Sequence, residues 1–199
     1  MNSQQNTIKP VKADNLIIFT FFLHLLLLLC ASAVPEGRFL FWLPINLAIE
    51  TFIIFRLLLL WKRYSKYEPR RYNSLQLYWA LIGSSVFAMM PFVRSTYGTL
   101  AFWPFLIGTV LLFLISHLLK ERITSVFVNP DKRRQLIKLP KVLAVIVLVG
   151  LVINAMLRFT QAHPNLGLII FLYLLAGFLL FCATPFSLDQ ERIEKLKAD

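Results

Sequence analysis

The chain has 199 residues, enough for one ordinary domain, yet 58% are apolar, 18 are Phe, and the mean hydropathy is +0.68. That is more apolar surface than a water-soluble core buries, so the excess is expected to face lipid. A net charge of +11 would suggest nucleic acid in a soluble protein. Here the basic residues fall between apolar runs, where a Lys/Arg bias marks membrane topology, so no nucleic-acid partner is expected.

Taken in order, residues 1–14 read as a short cytoplasmic tail. The first apolar run, Asn15 to Val34, carries Thr20, His24 and Cys30. A turn from Pro35 to Arg38 leads to the second run, Phe39 to Trp61, which contains Asn46, Glu50 and Arg56. After the basic loop Lys62 to Ser74 come Leu75 to Val93 and, past the short Arg94 to Thr99 link, Leu100 to Leu119. A second long basic loop, Lys120 to Lys138, precedes Leu139 to Leu157. Arg158 to Asn165 then joins it to Leu166 to Pro185, and residues 186–199 form a charged tail that a Ser187 or Asp189 cap could start as a helix.

Each run approaches or meets the ~20 residues that cross a hydrocarbon core. A lone helix satisfies its own backbone in lipid, and the short alternating strands of a β-barrel are absent. The expected fold is therefore all-α: a polytopic transmembrane helix bundle, with six spans as three consecutive hairpins filling residues 15–185.

The tails, the two long loops and Lys141 hold 17 of the 21 Lys and Arg; the others are Arg38, Arg56, Arg94 and Arg158. The positive-inside rule then puts both termini in the cytoplasm. Trp42, Trp61, Tyr64, Tyr78 and Trp103 fall near helix ends, where interfacial aromatics sit. Pro44, Pro91 and Pro104 lie toward the outer ends, where they mark helix ends or an opening.

A competing reading takes Lys9, Lys12, the run Leu16 to Leu29 and Ala31-Ser32-Ala33 as a secretory signal peptide. Cleavage within residues 1–33 would leave five spans. The near-spanning length of the run and the immediate start of the next helix favour retention.

Ionisable groups inside spans are costly, and the sequence has few: His24, Glu50 and Arg56. His24 and Glu50 each lie 10 or 11 residues from the outer end of their run, a depth of roughly 15 Å. Joined by a four-residue turn, their helices should pack antiparallel and let the two meet. Thr20 precedes His24 by one helical turn and Asn46 precedes Glu50 likewise, so the four form a candidate intramembrane polar cluster. The cluster reads either as glue between helices or as a proton- or cation-linked site. Arg56 leaves the Glu50 face and is expected to snorkel to cytoplasmic headgroups, as Arg94 and Arg158 would at the outer side.

Small residues, among them Gly83, Ser85, Gly108 and Gly177, are expected to let helices approach within the chain, with a dimer face as the alternative. The Lys120 to Lys141 loop mixes basic and apolar residues and reads as a membrane-surface segment broken near Pro130. Lys132, Arg133, Arg134, Lys138 and Lys141 are its anionic-lipid contacts.

Cys30 and Cys182 form no CxxC or His–Cys group, and His117 and His163 lie near opposite interfaces, so no metal or other cofactor is expected. GxSxG, HExxH and Gly-rich phosphate loops are absent, and an enzyme is not expected. The expectation is a structural, accessory or assembly component of the membrane, with a membrane-protein partner or a second copy as possible company. The alternative is a small proton- or cation-coupled transporter using His24 and Glu50. Short outer loops suit a bacterial cytoplasmic membrane; the endoplasmic reticulum obeys the same charge rule.

Overall fold

The computed structural model describes residues 13–100, 102–129, 141, 144–145, 148–149, 152 and 166–198. Among them every regular element is helical: α1 (Ala13–Ala33), α2 (Phe39–Tyr64), α3 (Pro69–Ser95), α4 (Phe102–Leu118), α5 (Lys120–Val128), α6 (Leu166–Ala183) and α7 (Gln190–Ala198), with a 3-10 turn at Thr184–Ser187. Three stretches are long and apolar enough to cross a membrane: Phe39–Tyr64, Pro69–Ser95 and Gly167–Ser187. A fourth results if α4 and α5, bent by 51° around Leu119, count as one span, and α1 is apolar from Ile17 to Ala33. Most of the expected fifth span lies outside the described residues; Ala144, Val145, Leu148, Val149 and Val152 are helical and exposed.

The sequence chemistry accounts for these helices. Leu is a good helix former, apolar runs in lipid satisfy their backbone only as helices, and hydroxyl side chains satisfy themselves on the preceding turn. Thr51 donates to Leu47 O, Ser85 to Leu81 O and Thr109 to Phe105 O, each at 2.8 Å. Pro69 opens α3 at its first turn, where the missing N–H costs nothing. Pro44 and Pro91 lie inside α2 and α3 instead of marking their ends.

From α1 to α4 the chain reverses direction at each connection, but α3 organises the packing. It touches α1, α2, α4 and α6, the last most extensively. Pairs in contact give the directions. His24–Glu50 and Asn46–Ser32 make α2 antiparallel to α1, whereas Thr20–Gln76 and His24–Ala80 make α3 parallel to α1. Tyr78–His117 and Phe92–Phe105 set α4 antiparallel to α3, and Ser74–Phe186 with the Gly177–Met89 approach does the same for α6. The core between α3 and α6 is Ile82, Met89, Ala176, Leu180 and Ala183; a second, on the α1 side, is Leu28, Ala31 and Phe87.

Outward-facing residues are predominantly apolar. Phe19, Phe22 and Leu26 on α1, Leu40, Phe52 and Phe55 on α2, and Trp103, Ile107 and Leu114 on α4 are all exposed. Water would penalise such continuous apolar faces at ~25 cal/mol per Å². They are the surface of a membrane-integral protein.

Among the described residues, the basic segments 62–71, 120–122 and 192–197 gather at one end. There Arg71 donates to Ser187 O at 3.0 Å and to Leu188 O, and pairs with Asp189 at 2.6 Å. Arg192 of α7 grips Glu121 of α5 through two hydrogen bonds of 2.8 Å.

Candidate functional site

The buried faces of three helices converge on His24. On α2 the buried positions are Trp42, Asn46, Glu50, Ile53 and Leu57, a single stripe at helical spacing that contains both polar residues. On α1 the corresponding stripe is Thr20, His24, Leu28 and Ala31. On α3, Gln76, Gly83, Phe87 and Arg94 are buried on the side facing α1. Each polar side chain is thus carried inward by the period of its own helix.

His24 is 0% exposed and Glu50 3%. His24 Nδ1 lies 2.9 Å from Glu50 Oε2, and Nε2 lies 2.8 Å from the Ala80 carbonyl. A carbonyl can only accept, so Nε2 carries a hydrogen. Two arrangements then satisfy Nδ1: a neutral imidazole accepting from a protonated Glu50, or an imidazolium donating to a carboxylate. They differ by the position of one proton along one hydrogen bond and share the same total charge.

The ring lies on Gly83. A β-carbon there would stand 2.8 Å from Nε2 and 2.9 Å from Nδ1, and closer still to Cε1. Only glycine leaves room for the imidazole between α1 and α3. Phe87 closes the next turn, edge-on to the ring at 5.7 Å.

The four residues expected to cluster divide into three contacts. His24 and Glu50 meet directly. Asn46 instead donates to Ser32 Oγ at 2.8 Å, nearer the turn, and Thr20 receives a long 3.5 Å contact from Gln76. All four are buried on adjoining faces. Glu50 Oε1 and Asn46 Oδ1 are buried and without a hydrogen-bond partner among the described residues.

Comparison with family models, curated proteins and solved structures returns no match.

Arg94 corrects an expectation. Instead of snorkelling to headgroups it is 5% exposed and clasps the α1–α2 turn. Its Nη1 donates to Ala31 O and, at 2.9 Å, to Val34 O; its Nη2 donates to Pro35 O at 3.1 Å and Gly37 O at 3.0 Å. The last carbonyls of α1 have no intrahelical donors. Gly37 and Arg38 take positive φ, 93° and 55°, so the turn closes without regular backbone pairing. A planar group with five donors meets that need, and the negative end of the helix dipole favours its charge. Trp42, expected at the interface, is buried beneath this guanidinium at 5.5 Å and against Tyr97. Arg158 lies outside the described residues.

Arg56 is exposed and leans over Trp79 at 5.7 Å. His117 donates from Nδ1 to Phe113 O at 2.9 Å, and its Nε2 lies 2.6 Å from the Tyr78 hydroxyl. Cys30 and Cys182 are free thiols, and no metal-binding group occurs among the described residues. Of the expected lipid contacts, Lys132, Arg133, Arg134 and Lys138 lie outside the described residues, while Lys141 is exposed.

Sequence reasoning passed over Gln76, Ser32 and the cradle role of Gly83. Gln76, Gly83 and Phe87 recur at helical spacing, a pattern legible in the sequence once His24 is known to face α3.

Proposed function

We propose that this is a multi-pass protein of the bacterial cytoplasmic membrane, six spans with both termini cytoplasmic, acting as a structural, accessory or assembly component and not as an enzyme. Helix direction supports the count. α4 and α6 both run antiparallel to α3, so a chain crossing at each must cross back an odd number of times between them. Retention of α1 is supported by the burial of His24, Leu28 and Ala31 against its neighbours. The gathering of the described basic segments at one end supports the orientation.

The observation that carries the functional reading is the closure of the polar centre. His24 spends both ring nitrogens on protein groups and is wholly enclosed. Cavities of about 980 and 610 Å³ lie elsewhere, the first lined by residues such as Tyr67, Arg71 and Ile193, the second by Arg56, Leu60 and Arg63; neither is lined by His24 or Glu50. A buried imidazole bonded to α2 through Glu50 and to α3 through Ala80 O locks three helices together, which is what a packing role requires.

A second reading, a proton- or cation-coupled transporter, is favoured by one observation: the spare buried oxygens of Glu50 and Asn46. Reconstitution in liposomes containing a pH dye, with proton and monovalent-cation gradients imposed, separates the two. Equal leak for wild type, Glu50→Gln and empty vesicles is expected. A wild-type flux abolished in a folded Glu50→Gln variant would overturn the accessory reading.

A further inference from the structure

The outer face of α2 holds a charge arrangement that the polar centre does not use. Arg56, Lys62 and Arg63 line one groove of about 610 Å³, with Leu59, Leu60 and Tyr64 between and beside them. Arg56, Lys62 and Arg63 are exposed, and none of the three has an ion-pair partner among the described residues. Two of them rest on aromatic rings, Arg56 over Trp79 at 5.7 Å and Arg63 over Tyr64 at 5.3 Å.

Depth distinguishes the three. Six residues of helix separate Arg56 from Lys62, roughly 9 Å at 1.5 Å per residue. Lys62 and Arg63 therefore sit at the end of the apolar run and Arg56 well inside it, beside exposed Phe52 and Phe55. A guanidinium at that depth on a lipid-facing surface is costly unless it reaches up to an anionic group nearer the headgroups. A soluble acidic peptide cannot follow it down an apolar wall.

We infer that this groove is a binding site for one anionic glycerophospholipid. Its phosphate lies between Lys62 and Arg63, Arg56 reaches up to the same group from below, and an acyl chain runs along Leu59, Leu60 and Phe55. Neighbouring Lys62 and Arg63, with Arg56 about two turns below on the side of Arg63, offer several donors to phosphate oxygens, and the leucines between them suit the chain.

The test uses the intact protein in phosphatidylcholine nanodiscs, titrated with acyl-brominated phosphatidylglycerol or acyl-brominated phosphatidylcholine. The Trp79 signal is taken as the difference between wild type and Trp79→Phe. Bromine in contact quenches tryptophan, so the expected result is saturable quenching by the anionic lipid at least tenfold tighter than by the zwitterionic one. Lys62→Gln with Arg63→Gln should remove that preference, as should Arg56→Gln. Lys195→Gln with Lys197→Gln, which takes the same charge from α7, should leave it within twofold. Equal quenching by both lipids, equal losses in both double variants, or displacement by a soluble acidic peptide would each overturn the inference. Native mass spectrometry of the detergent-solubilised protein tests the same groove without fluorescence: one added phosphatidylglycerol mass should be retained in wild type and lost in the groove variants, and its retention in those variants would equally overturn the inference.

Discussion

Gly83→Ala isolates the step on which the centre of the bundle depends. The added methyl would sit 2.8 and 2.9 Å from the two ring nitrogens of His24, well inside contact distance, so the imidazole must move. It is held at both ends, by Glu50 and by Ala80 O, and any shift that clears the methyl lengthens both bonds. Hydrogen bonds between helices in membranes average ~0.6 kcal/mol and reach ~1.7, so two lost bonds cost about 1–3 kcal/mol. Overpacking adds about 1–3 kcal/mol, and replacing glycine in a helix returns about 1 kcal/mol. The net expectation is a loss of roughly 1–5 kcal/mol. Gly108→Ala is the matched control, because nothing lies within 4 Å of its added carbon; it keeps the propensity gain without the collision. Unfolding by SDS titration in mixed micelles reads both. The same substitution in a His24→Ala background should cost little, since the colliding ring is gone. A Gly83→Ala midpoint equal to that of Gly108→Ala, or an unchanged cost without the imidazole, would refute the cradle.

At Glu50, the amide of Glu50→Gln can still hydrogen-bond Nδ1, so stability should fall by less than ~1 kcal/mol, whereas Glu50→Leu leaves a buried nitrogen unpartnered and should lose about 1–3 kcal/mol; the reverse order would contradict a stabilising hydrogen bond at Nδ1. Arg94→Lys keeps the charge but not the planar fork, and bonds to charged groups contribute about 1.5–3 kcal/mol each. It should lower stability by about 2–4 kcal/mol and open the 34–38 turn to proteolysis, and wild-type resistance in the variant would show the clasp to be idle. The α5–α7 contact should depend on pH. Glu121 is held below the usual carboxylate range first by the hydrogen bond from Arg192, with desolvation opposing next and the charges of Arg192 and Lys120 adding. A lowered carboxyl takes up a proton less readily docked than free, so docking is complete above the ordinary carboxylate value and is lost as pH falls through the lowered one. Spin labels on α5 and α7 should report separation on acidification in wild type, and no such pH response in Glu121→Gln.

The sequence by itself determined that the chain is helical and lipid-facing, because 58% apolar content in runs of spanning length admits few other structures. It also put His24 and Glu50 at one depth, since helical rise and a short turn suffice for that arithmetic. Beyond the polar pairs Thr20–His24 and Asn46–Glu50, it could not determine which neighbour each face meets, because the apolar residues of α1 and α6 run nearly all round the helix. Only the tertiary structure decided that α3 is the hub, that Asn46 and Thr20 take Ser32 and Gln76 as partners, and that Gly83 vacates space for a ring instead of a backbone. Arg94 shows the physical reason most plainly. From sequence a basic residue at a helix end belongs in the headgroups; in three dimensions the same end lies beside four unpaired carbonyls of another helix and its turn, and neighbours distant in sequence outweigh position along the chain.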